Sequence, residues 1–291
     1  MAAITRDRAR PARFAGVDRR ILGRVIGVLA IVALLLVIGL PLYWMLVAAF
    51  KTQREIYTIP PTWLPLAPTL SNFVDAWESA PFGRFYVNSI LITVVTGGMK
   101  VLMAVLCGYA FAYLRVPGKE AIFVLVLGAL MIPEEITVLP NYLTVAELGW
   151  VNTYAGLLVP GFVSAFGTFL MRQHFMSLPR EVLDAARVDG AGHLRTLWSV
   201  VLPMSRPVLV TLILLTAVGR WDEFLWPLIV TNTADMRPLS VGIYFLFSQE
   251  GTTVWGVVMA GTLFVVAPIV VLFAWAQRHI VSGLTAGAVK G

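Results

Sequence analysis

Three long stretches of the chain contain no charged side chain. They are residues 25–50, 148–171 and 252–277. Each exceeds the roughly 20 apolar residues that an α-helix needs to cross a hydrocarbon core of about 30 Å. The pattern therefore predicts three transmembrane helices.

Three further apolar stretches are interrupted by charge. Counting them as spans predicts an all-α polytopic membrane protein with six transmembrane helices. The alternative, in which they are soluble core helices, is disfavoured because a soluble domain has nothing to pack against three bare helices of membrane length. The interrupted stretches are 85–114, which contains Lys100; 121–133, which precedes Glu134 and Glu135; and 207–233, which contains Arg220, Asp222 and Glu223.

Composition agrees with a bilayer environment. Hydrophobic residues make up 58% of the chain and charged residues 13%, with a mean hydropathy of +0.82. The first span follows a basic segment, but its apolar stretch is longer than the roughly 7 to 15 residues of a signal-peptide core. It ends in Pro41, Tyr43 and Trp44, and interfacial aromatics of this kind favour a retained anchor.

Cysteine and histidine positions give no reason to expect a metal site. Cys107 is the only cysteine and lies in an apolar run, which excludes a disulfide framework and a cysteine-ligated metal. The three histidines, His174, His193 and His279, are well separated along the chain. We therefore expect no bound metal.

The distribution of basic residues predicts the orientation. Lys and Arg gather in cytoplasmic loops, and with six spans most of the 22 Lys and Arg residues fall on the side of the N-terminus. Both termini are thus predicted to be cytoplasmic. The prediction divides the chain into a basic tail (1–24), a transmembrane domain (25–278) and a C-terminal tail (279–291). The basic tail lies beside a membrane, which favours contact with anionic lipid over nucleic-acid binding.

The loop at 172–206, between predicted spans four and five, is predicted to form two short helices. Ser177-Leu178-Pro179 begins a helix over 180–188, Asp189-Gly190 makes a turn, and a second helix over 191–201 stops at Pro203. Spacing alone leaves an ordinary hairpin and a docking element equally open. The first helix has a charged side with Arg180, Asp184 and Arg187, and an apolar side with Val182, Ala185, Ala186 and Val188.

The sequence of this loop resembles the EAA loop of binding-protein-dependent ABC importer permeases. The resemblance rests on Asp184-Ala185-Ala186-Arg187-Val188-Asp189-Gly190-Ala191-Gly192, followed by Leu202-Pro203 and Pro207. Here Asp184 replaces the opening Glu of the motif and keeps its charge; Glu181, one turn earlier, can share its role. The resemblance implies that the residues coupling the chain to an ATPase are Glu181, Asp184, Ala185, Ala186, Asp189, Gly190 and Ala191.

Segments elsewhere are similar to the carbohydrate-importer branch of that family. They include Asn72-Phe73, Asn88-Ser89, the run from Ala165 to Arg172, and the ending Gly283 to Gly291. Within that branch the chain resembles the smaller, six-span permease of maltose-type and of glycerol-3-phosphate or glycerophosphodiester importers. The resemblance implies the type I importer permease fold, the inner membrane of a prokaryote, and a sugar or sugar-like solute.

The same resemblance implies three protein partners. They are a second permease, a cytoplasmic ATPase dimer and an extracytoplasmic solute-binding protein. The chain itself has no phosphate-binding loop, because Pro117-Gly118-Lys119 lacks both the earlier glycine and the following hydroxyl residue. We therefore expect the chain to be no enzyme and to bind no cofactor, with ATP and Mg used by the partner ATPase.

Charged residues in the fifth predicted span mark a candidate translocation path. They are too costly to face lipid, so they are expected to face the bundle interior or water. Pairing between Arg220 and Glu223, at i and i+3, and lining of the path remain two open alternatives, and Pro227 is expected to kink the helix. Lys100 is favoured to reach the interface or a carboxylate rather than an anionic solute, and Glu134 and Glu135 are expected at a solvated interface. The candidate path residues are Arg220, Trp221, Asp222, Glu223 and Phe224.

Two further contacts are implied by the resemblance. Related permeases use the outer loop between spans five and six to reach the binding protein, which here points to Phe247, Ser248, Gln249 and Glu250. The tail after Arg278 is similar to that of the smaller maltose permease, so it is expected to contact the ATPase dimer.

The sequence disfavours two other functions, a proton-coupled secondary transporter and a membrane enzyme. A proton-coupled secondary transporter would use Asp222 and Glu223 as carriers, but no inverted repeat is visible and the EAA-like loop would have no purpose. A membrane enzyme is disfavoured because neither H-E-x-x-H nor G-x-S-x-G occurs in the sequence.

Overall fold

The computed structural model describes the backbone of residues 19–247 and 253–288, and side chains within 23–247 and 253–275. The described residues form helices, turns and irregular connections, with no strand among them. We number the ten main helices in chain order: α1 Arg19–Ala49, α2 Phe82–Tyr113, α3 Lys119–Ala129, α4 Glu134–Glu147, α5 Tyr154–Met176, α6 Arg180–Val188, α7 His193–Met204, α8 Arg206–Trp221, α9 Leu225–Val230 and α10 Trp255–Ala288. Shorter helices are Gln53–Ile56, Ser71–Glu78, Ala234–Met236, Leu239–Gly242 and Ile243–Leu246.

Four helices are long and apolar enough to cross a membrane unaided: Gly23–Ala49, Phe82–Tyr113, Tyr154–Met176 and Trp255–Trp275. Two more candidates are bent pairs. Helices α3 and α4 meet at 102°, and α7 and α8 meet at 86°. The chain is thus a helical polytopic membrane protein, with six spans if each bent pair crosses once.

The fourth span begins later than the sequence pattern predicted. Residues 148–153 form a turn in which Gly149 and Asn152 have φ of 70° and 57°, and Thr153 caps α5 by accepting a hydrogen bond from the Gly156 N–H. The side-chain oxygen of Asn152 accepts the backbone N–H of Asn232 at 2.9 Å. The turn is apolar in composition, so hydropathy alone could not separate it from the span.

Helices α2 and α5 pack unusually closely because glycines lie in their contact. A Cβ added to Gly108 would lie 2.8 Å from the Met171 Cβ, and one added to Gly167 would lie 2.8 Å from the Ala104 Cβ. Small residues allow membrane helices to approach in this way. The two helices therefore form one well-packed unit.

The connection between α1 and α2 is held by side-chain hydrogen bonds. Asn72 donates through Nδ2 to the carbonyls of Ala49 and Lys51, at 2.9 and 2.7 Å. The side chain of Lys51 is buried, and its Nζ lies 4.4 Å from the Trp44 ring centroid. A carbonyl and an aromatic face thus replace water around that charge.

The carboxylate of Glu55 organises the middle of this connection. It accepts the backbone N–H of Leu66 at 2.8 Å and the Thr62 hydroxyl at 2.9 Å. Desolvation raises the pKa of Glu55, but these hydrogen bonds and the Lys51 charge outweigh it and hold the pKa below its usual range. The ionised carboxylate therefore holds the proline-containing segment from Thr62 to Leu66 through two hydrogen bonds.

Candidate functional site

The predicted turn between α6 and α7 is present and depends on a glycine. Gly190 has φ of 74°, and its N–H donates to the Arg187 carbonyl at 3.0 Å. The next N–H, of Ala191, donates to the Ala186 carbonyl at 2.9 Å. Left-handed backbone of this kind at a helix end favours glycine, so the end of α6 is fixed locally.

One side of α6 packs against the spans. Leu183 is 6% exposed and belongs to a hydrophobic cluster with Met171, Phe175 and Leu197. Ala186, which was predicted to contact an ATPase, is 8% exposed and faces inward as well. Its role in coupling stays a prediction, and the i, i+3 spacing of Leu183 and Ala186 places both on the inner side of the helix.

The opposite side of α6 is bare. The predicted coupling residues Glu181, Asp184, Ala185, Asp189 and Gly190 are exposed, and Ala191 is half-buried. Their face also includes the exposed apolar side chains of Val182 and Val188. We call these residues the exposed α6 face. It combines apolar and acidic groups on a helix whose other side is anchored in the membrane domain.

Helix α7 differs from its prediction at both ends. It begins at His193 rather than at residue 191, and it continues through Pro203 to Met204. A π-helical turn over Leu197–Val201 precedes the proline, and such a turn widens the backbone where the ring must fit. The chain bends only at Ser205, between α7 and α8.

A polar cavity of about 430 Å³ lies at the break between α8 and α9. Its lining comes from α2, α4, the segment Pro160–Val163 and the break itself. Of the five residues predicted to line a translocation path, four line this cavity and Trp221 does not. That the cavity belongs to a translocation path stays a prediction. The described charged and aromatic lining residues include Lys100, Glu134, Glu135, Arg220, Asp222, Glu223 and Phe224.

Arg220 and Glu223 form an ion pair inside this cavity. The Arg220 Nη1 and Glu223 Oε2 atoms are 2.6 Å apart, and the two side chains are only 11% and 21% exposed. Pairing and lining were alternatives at the level of sequence. The structure shows both at once, since the paired groups also border the cavity.

The Arg220 guanidinium fits beside Gly161 because glycine has no Cβ. A Cβ at Gly161 would lie 2.5 Å from the Thr96 Cγ2 and 3.1 Å from the Arg220 Nη1. No ordinary side chain fits at the first distance. The glycine therefore lets α5 approach α2 while the guanidinium passes between them.

The break in the helix precedes Pro227 instead of lying at it. Helix α8 ends at Trp221, and α9 begins at Leu225, so Pro227 lies in the first turn of α9, where backbone N–H groups need no helical partner. Proline at 227 cannot donate to the Glu223 carbonyl, four residues earlier. The hydroxyl of Ser240 donates to that carbonyl instead, at 2.6 Å.

Trp221 has a structural position rather than a place in the cavity. It is 8% exposed, and its Nε1–H donates to the Val265 carbonyl of α10 at 2.9 Å. A place for it in a translocation path stays a prediction; in this chain its indole points to α10, away from the cavity that its neighbours Arg220 and Asp222 line.

The sequence did not predict that α4 lines the cavity. Glu134 and Glu135 were expected only at a solvated interface, but both line the cavity. Lys100 lies within electrostatic reach of Glu134, Glu223 and Arg220. The available signal was a pair of carboxylates in an otherwise apolar segment, which marks a functional position by default.

The segment predicted to meet a binding protein is only partly described. Phe247 is exposed and packs edge-on against Trp255, with ring centroids 6.3 Å apart. Ser248, Gln249 and Glu250 lie outside the described residues, and so do the side chains of the predicted C-terminal tail, 279–291.

Comparison with known proteins gives a consistent result. The family described as "Binding-protein-dependent transport system inner membrane component" matches residues 100–285. The chain is 35% identical over 274 residues to the sn-glycerol-3-phosphate transport system permease protein UgpE of Yersinia enterocolitica, covering 92% of this chain and 97% of the relative. It is 34% identical over 254 residues to the arabinooligosaccharides transport system permease protein AraQ of Halalkalibacterium halodurans, covering 86% and 91%.

The fold is similar to that of a solved transporter chain. A bacterial ABC transporter involved in the import of the acidic polysaccharide alginate contains a chain that superposes with a TM-score of 0.81 at 23% identity. The match covers 92% of the present chain and 99% of the other. At that identity the likeness establishes the fold alone.

Proposed function

This chain belongs to the family of binding-protein-dependent transport system inner membrane components, and from that premise we propose that it is one half of the permease of an ATP-driven importer. The observation that carries the proposal is the exposed α6 face. Its outer residues are bare while Leu183 and Ala186 anchor the same helix to the spans. A motion of a docked ATPase would therefore pass through α6 into the helices that border the cavity.

The proposal assigns three partners by chemistry. A cytoplasmic ATPase dimer, which binds ATP and Mg, docks on the exposed α6 face. A second permease completes the path, since the described cavity is open on one side of this chain. A solute-binding protein delivers solute at the opposite membrane side, and a crystal structure similar in fold, at a TM-score of 0.66, is titled as a complex with a pentasaccharide-bound periplasmic protein.

Orientation follows from this assignment. If the exposed α6 face meets a cytoplasmic ATPase, the hairpin and both termini lie in the cytoplasm, and the chain crosses the inner membrane six times with each bent pair as one span. The excess of Lys and Arg on the N-terminal side supports the same topology.

The proton-coupled alternative has less support. Its two candidate carriers are Asp222 and Glu223, and Glu223 is held by Arg220 at 2.6 Å. This ion pair gives Glu223 a structural partner within the same segment, and the family to which the chain belongs consists of binding-protein-dependent transport components. The solute we propose is a sugar or sugar-like molecule, as the relatives' names suggest for those proteins.

The test is ATP hydrolysis by the assembled complex. Ala185→Arg places a long cation in the middle of the exposed α6 face and is expected to reduce binding-protein-stimulated hydrolysis at least about tenfold, because one misplaced charge at a docking surface costs on the order of 1.4 kcal/mol or more. Val116→Arg makes an equivalent change at an exposed apolar position between α2 and α3. It is expected to leave stimulation intact.

The control separates docking from folding. Both variants must copurify with the second permease at the yield of the unmodified chain. Full stimulation with Ala185→Arg, or equal losses in both variants, would remove the exposed α6 face as the docking surface.

A further inference from the structure

The charges around the cavity are unequal in number. Among the described lining residues, Lys100 and Arg220 are cationic, while four side chains are acidic: Glu134, Glu135, Asp222 and Glu223. The lining therefore has a formal excess of two negative charges. This imbalance is a property of three separate elements, α2, α4 and the α8–α9 break, brought together by the fold.

The cations are already engaged by carboxylates. Arg220 pairs at 2.6 Å with Glu223, and Lys100 lines the same cavity as Glu134 and Glu223. Glu135 and Asp222, which are both exposed to the cavity side of the chain, complete the acidic excess. An anionic solute entering here would meet no cation without a competing carboxylate beside it.

Helix α4 lines the cavity with a row of polar side chains that begins at the carboxylate of Glu134. Glu134, Thr137 and Asn141 follow one another at i, i+3 and i+7, and all three line the cavity. The Thr137 hydroxyl donates to the Glu134 carbonyl at 2.7 Å. Opposite them, Phe224 is 44% exposed and offers an aromatic surface. Carboxylate acceptors, an amide and an aromatic surface suit a hydroxylated ring without charge.

We propose that Glu134 and Glu135 form a charge filter that admits uncharged, polyhydroxylated solutes to this cavity and rejects solutes bearing a phosphate or carboxylate group. The inference rests on the proposed function and narrows its solute class. An excess of one sign of charge opposes the entry of solutes of the same sign, and clefts lined by one sign of charge change local ion concentrations by about tenfold or more. The chain thus differs in expected solute from relatives named for sn-glycerol 3-phosphate.

Thiol modification in the assembled complex measures this potential without knowledge of the solute. The only cysteine, Cys107, is replaced by Ser, and single cysteines are introduced as Thr137→Cys and Asn141→Cys in the cavity. Ile59→Cys, at a position that is 96% exposed in the α1–α2 connection, provides the reference. Each is treated with the anionic sulfonatoethyl and the cationic trimethylammonium-ethyl methanethiosulfonate.

We expect the cation-to-anion rate ratio at the two cavity cysteines to exceed that at Ile59→Cys about tenfold. Adding Glu134→Gln and Glu135→Gln should bring the ratio back toward the reference, while Glu147→Gln, at the far end of α4, should not change it. A ratio equal to the reference, or one that ignores Glu134→Gln and Glu135→Gln, would overturn the filter. Failure of both cavity cysteines to react even with a neutral methanethiosulfonate would overturn it too, because the cavity would then be closed to water.

A second measurement separates the filter from the proposed function. ATP hydrolysis by the complex with its binding protein is compared with sn-glycerol 3-phosphate and with a neutral pentose oligosaccharide as probes. Stimulation by the neutral probe alone supports the filter. Stimulation by sn-glycerol 3-phosphate would overturn it and leave the importer assignment standing, whereas an Ala185→Arg complex that couples normally would count against the docking assignment alone.

Discussion

Two ion pairs with the same i, i+3 spacing show how differently this chain uses charge in two regions. Asp184 of the exposed α6 face and Arg187 beside it lie 2.9 Å apart, with side chains 64% and 59% exposed. In the cavity, Arg220 and Glu223 lie 2.6 Å apart with side chains 11% and 21% exposed. Sequence spacing is identical, and only the surroundings differ.

The surroundings decide what each pair contributes. Water and salt screen the α6 pair, so its contribution to stability is expected to be at most about 1 kcal/mol. The cavity pair has lost most of its water, and each charge there depends on the other for solvation. One pair is therefore available to a partner protein, while the other holds the helix break together.

The largest expected effect comes from removing one member of the cavity pair. Arg220→Met leaves Glu223 with no counter-charge at 2.6 Å, and a broken buried pair costs about 3–5 kcal/mol. We expect a clearly lower thermal unfolding midpoint for the detergent-purified complex. The double variant Arg220→Met, Glu223→Met should recover most of that loss. A double variant as unstable as the single one would show that the arginine acts through packing rather than through charge.

A smaller loss is expected when the arginine is kept but its space is filled. Gly161→Ala puts a Cβ 2.5 Å from the Thr96 Cγ2 and 3.1 Å from the Arg220 Nη1, and overpacking of this kind costs about 1–3 kcal/mol. The matched control is Gly98→Ala in α2, where a Cβ meets nothing within 4 Å. Thermal unfolding of both variants in parallel measures the difference. Equal midpoints would mean that α5 moves away from α2 easily.

The hairpin was predictable because its signals are local. The bounds of α6, residues 180–188, follow from Pro179 at one end and Asp189-Gly190 at the other, and the structure has the same bounds. The burial of Ala186 was not predictable, because the spans that bury it lie elsewhere in the sequence. A helix shows its two faces in sequence, but its pattern does not say which small residue meets the protein's own core.

The cavity was only half predictable for the opposite reason. The cost of charge in a membrane identified the Arg220 to Glu223 segment. Glu134 lines the same cavity, but its helix α4 ends 59 residues before α8 begins, and no local sequence pattern connects the two. The direction of Trp221 depends on the carbonyl of Val265 in α10. Contacts of this range are set by how helices cross, and periodicity contains no information about that crossing.

A third charged group, the Glu55 carboxylate, is 8% exposed and predicts a dependence of local stability on pH. Hydrogen bonds hold the pKa of Glu55 below its usual value of 4.5. A lowered folded-state pKa means that the carboxylate's stabilisation is complete above pH 4.5 and is lost as pH falls through the lowered value. Limited proteolysis of the α1–α2 connection should therefore accelerate below that pH.

The matched variant for this pH effect is Glu55→Gln. It keeps the size of the side chain and removes the ionised oxygen that accepts the Leu66 N–H and the Thr62 hydroxyl. We expect faster proteolysis at neutral pH and little further change on acidification. An unchanged pH profile in this variant would assign the acid response to another group.

The smallest expected effect is the counterpart of the first prediction. Arg187→Met removes the cation of the exposed pair and is expected to change the free energy of unfolding by at most about 1 kcal/mol. The same substitution type at the same spacing thus gives a small effect at 187 and a large one at 220. Similar midpoint shifts for both would break the comparison and place the two pairs in similar surroundings.

Helix α1 has a consequence for the order in which the chain is built. The most apolar stretch of Gly23–Ala49 buries no residue against the rest of the chain, so its entry into the bilayer depends on lipid alone. The two bent pairs have no such independence, because neither helix of either pair is long enough to cross alone. During synthesis we expect the first helix to enter the membrane as soon as it leaves the ribosome, whereas the bent pairs depend on their neighbours.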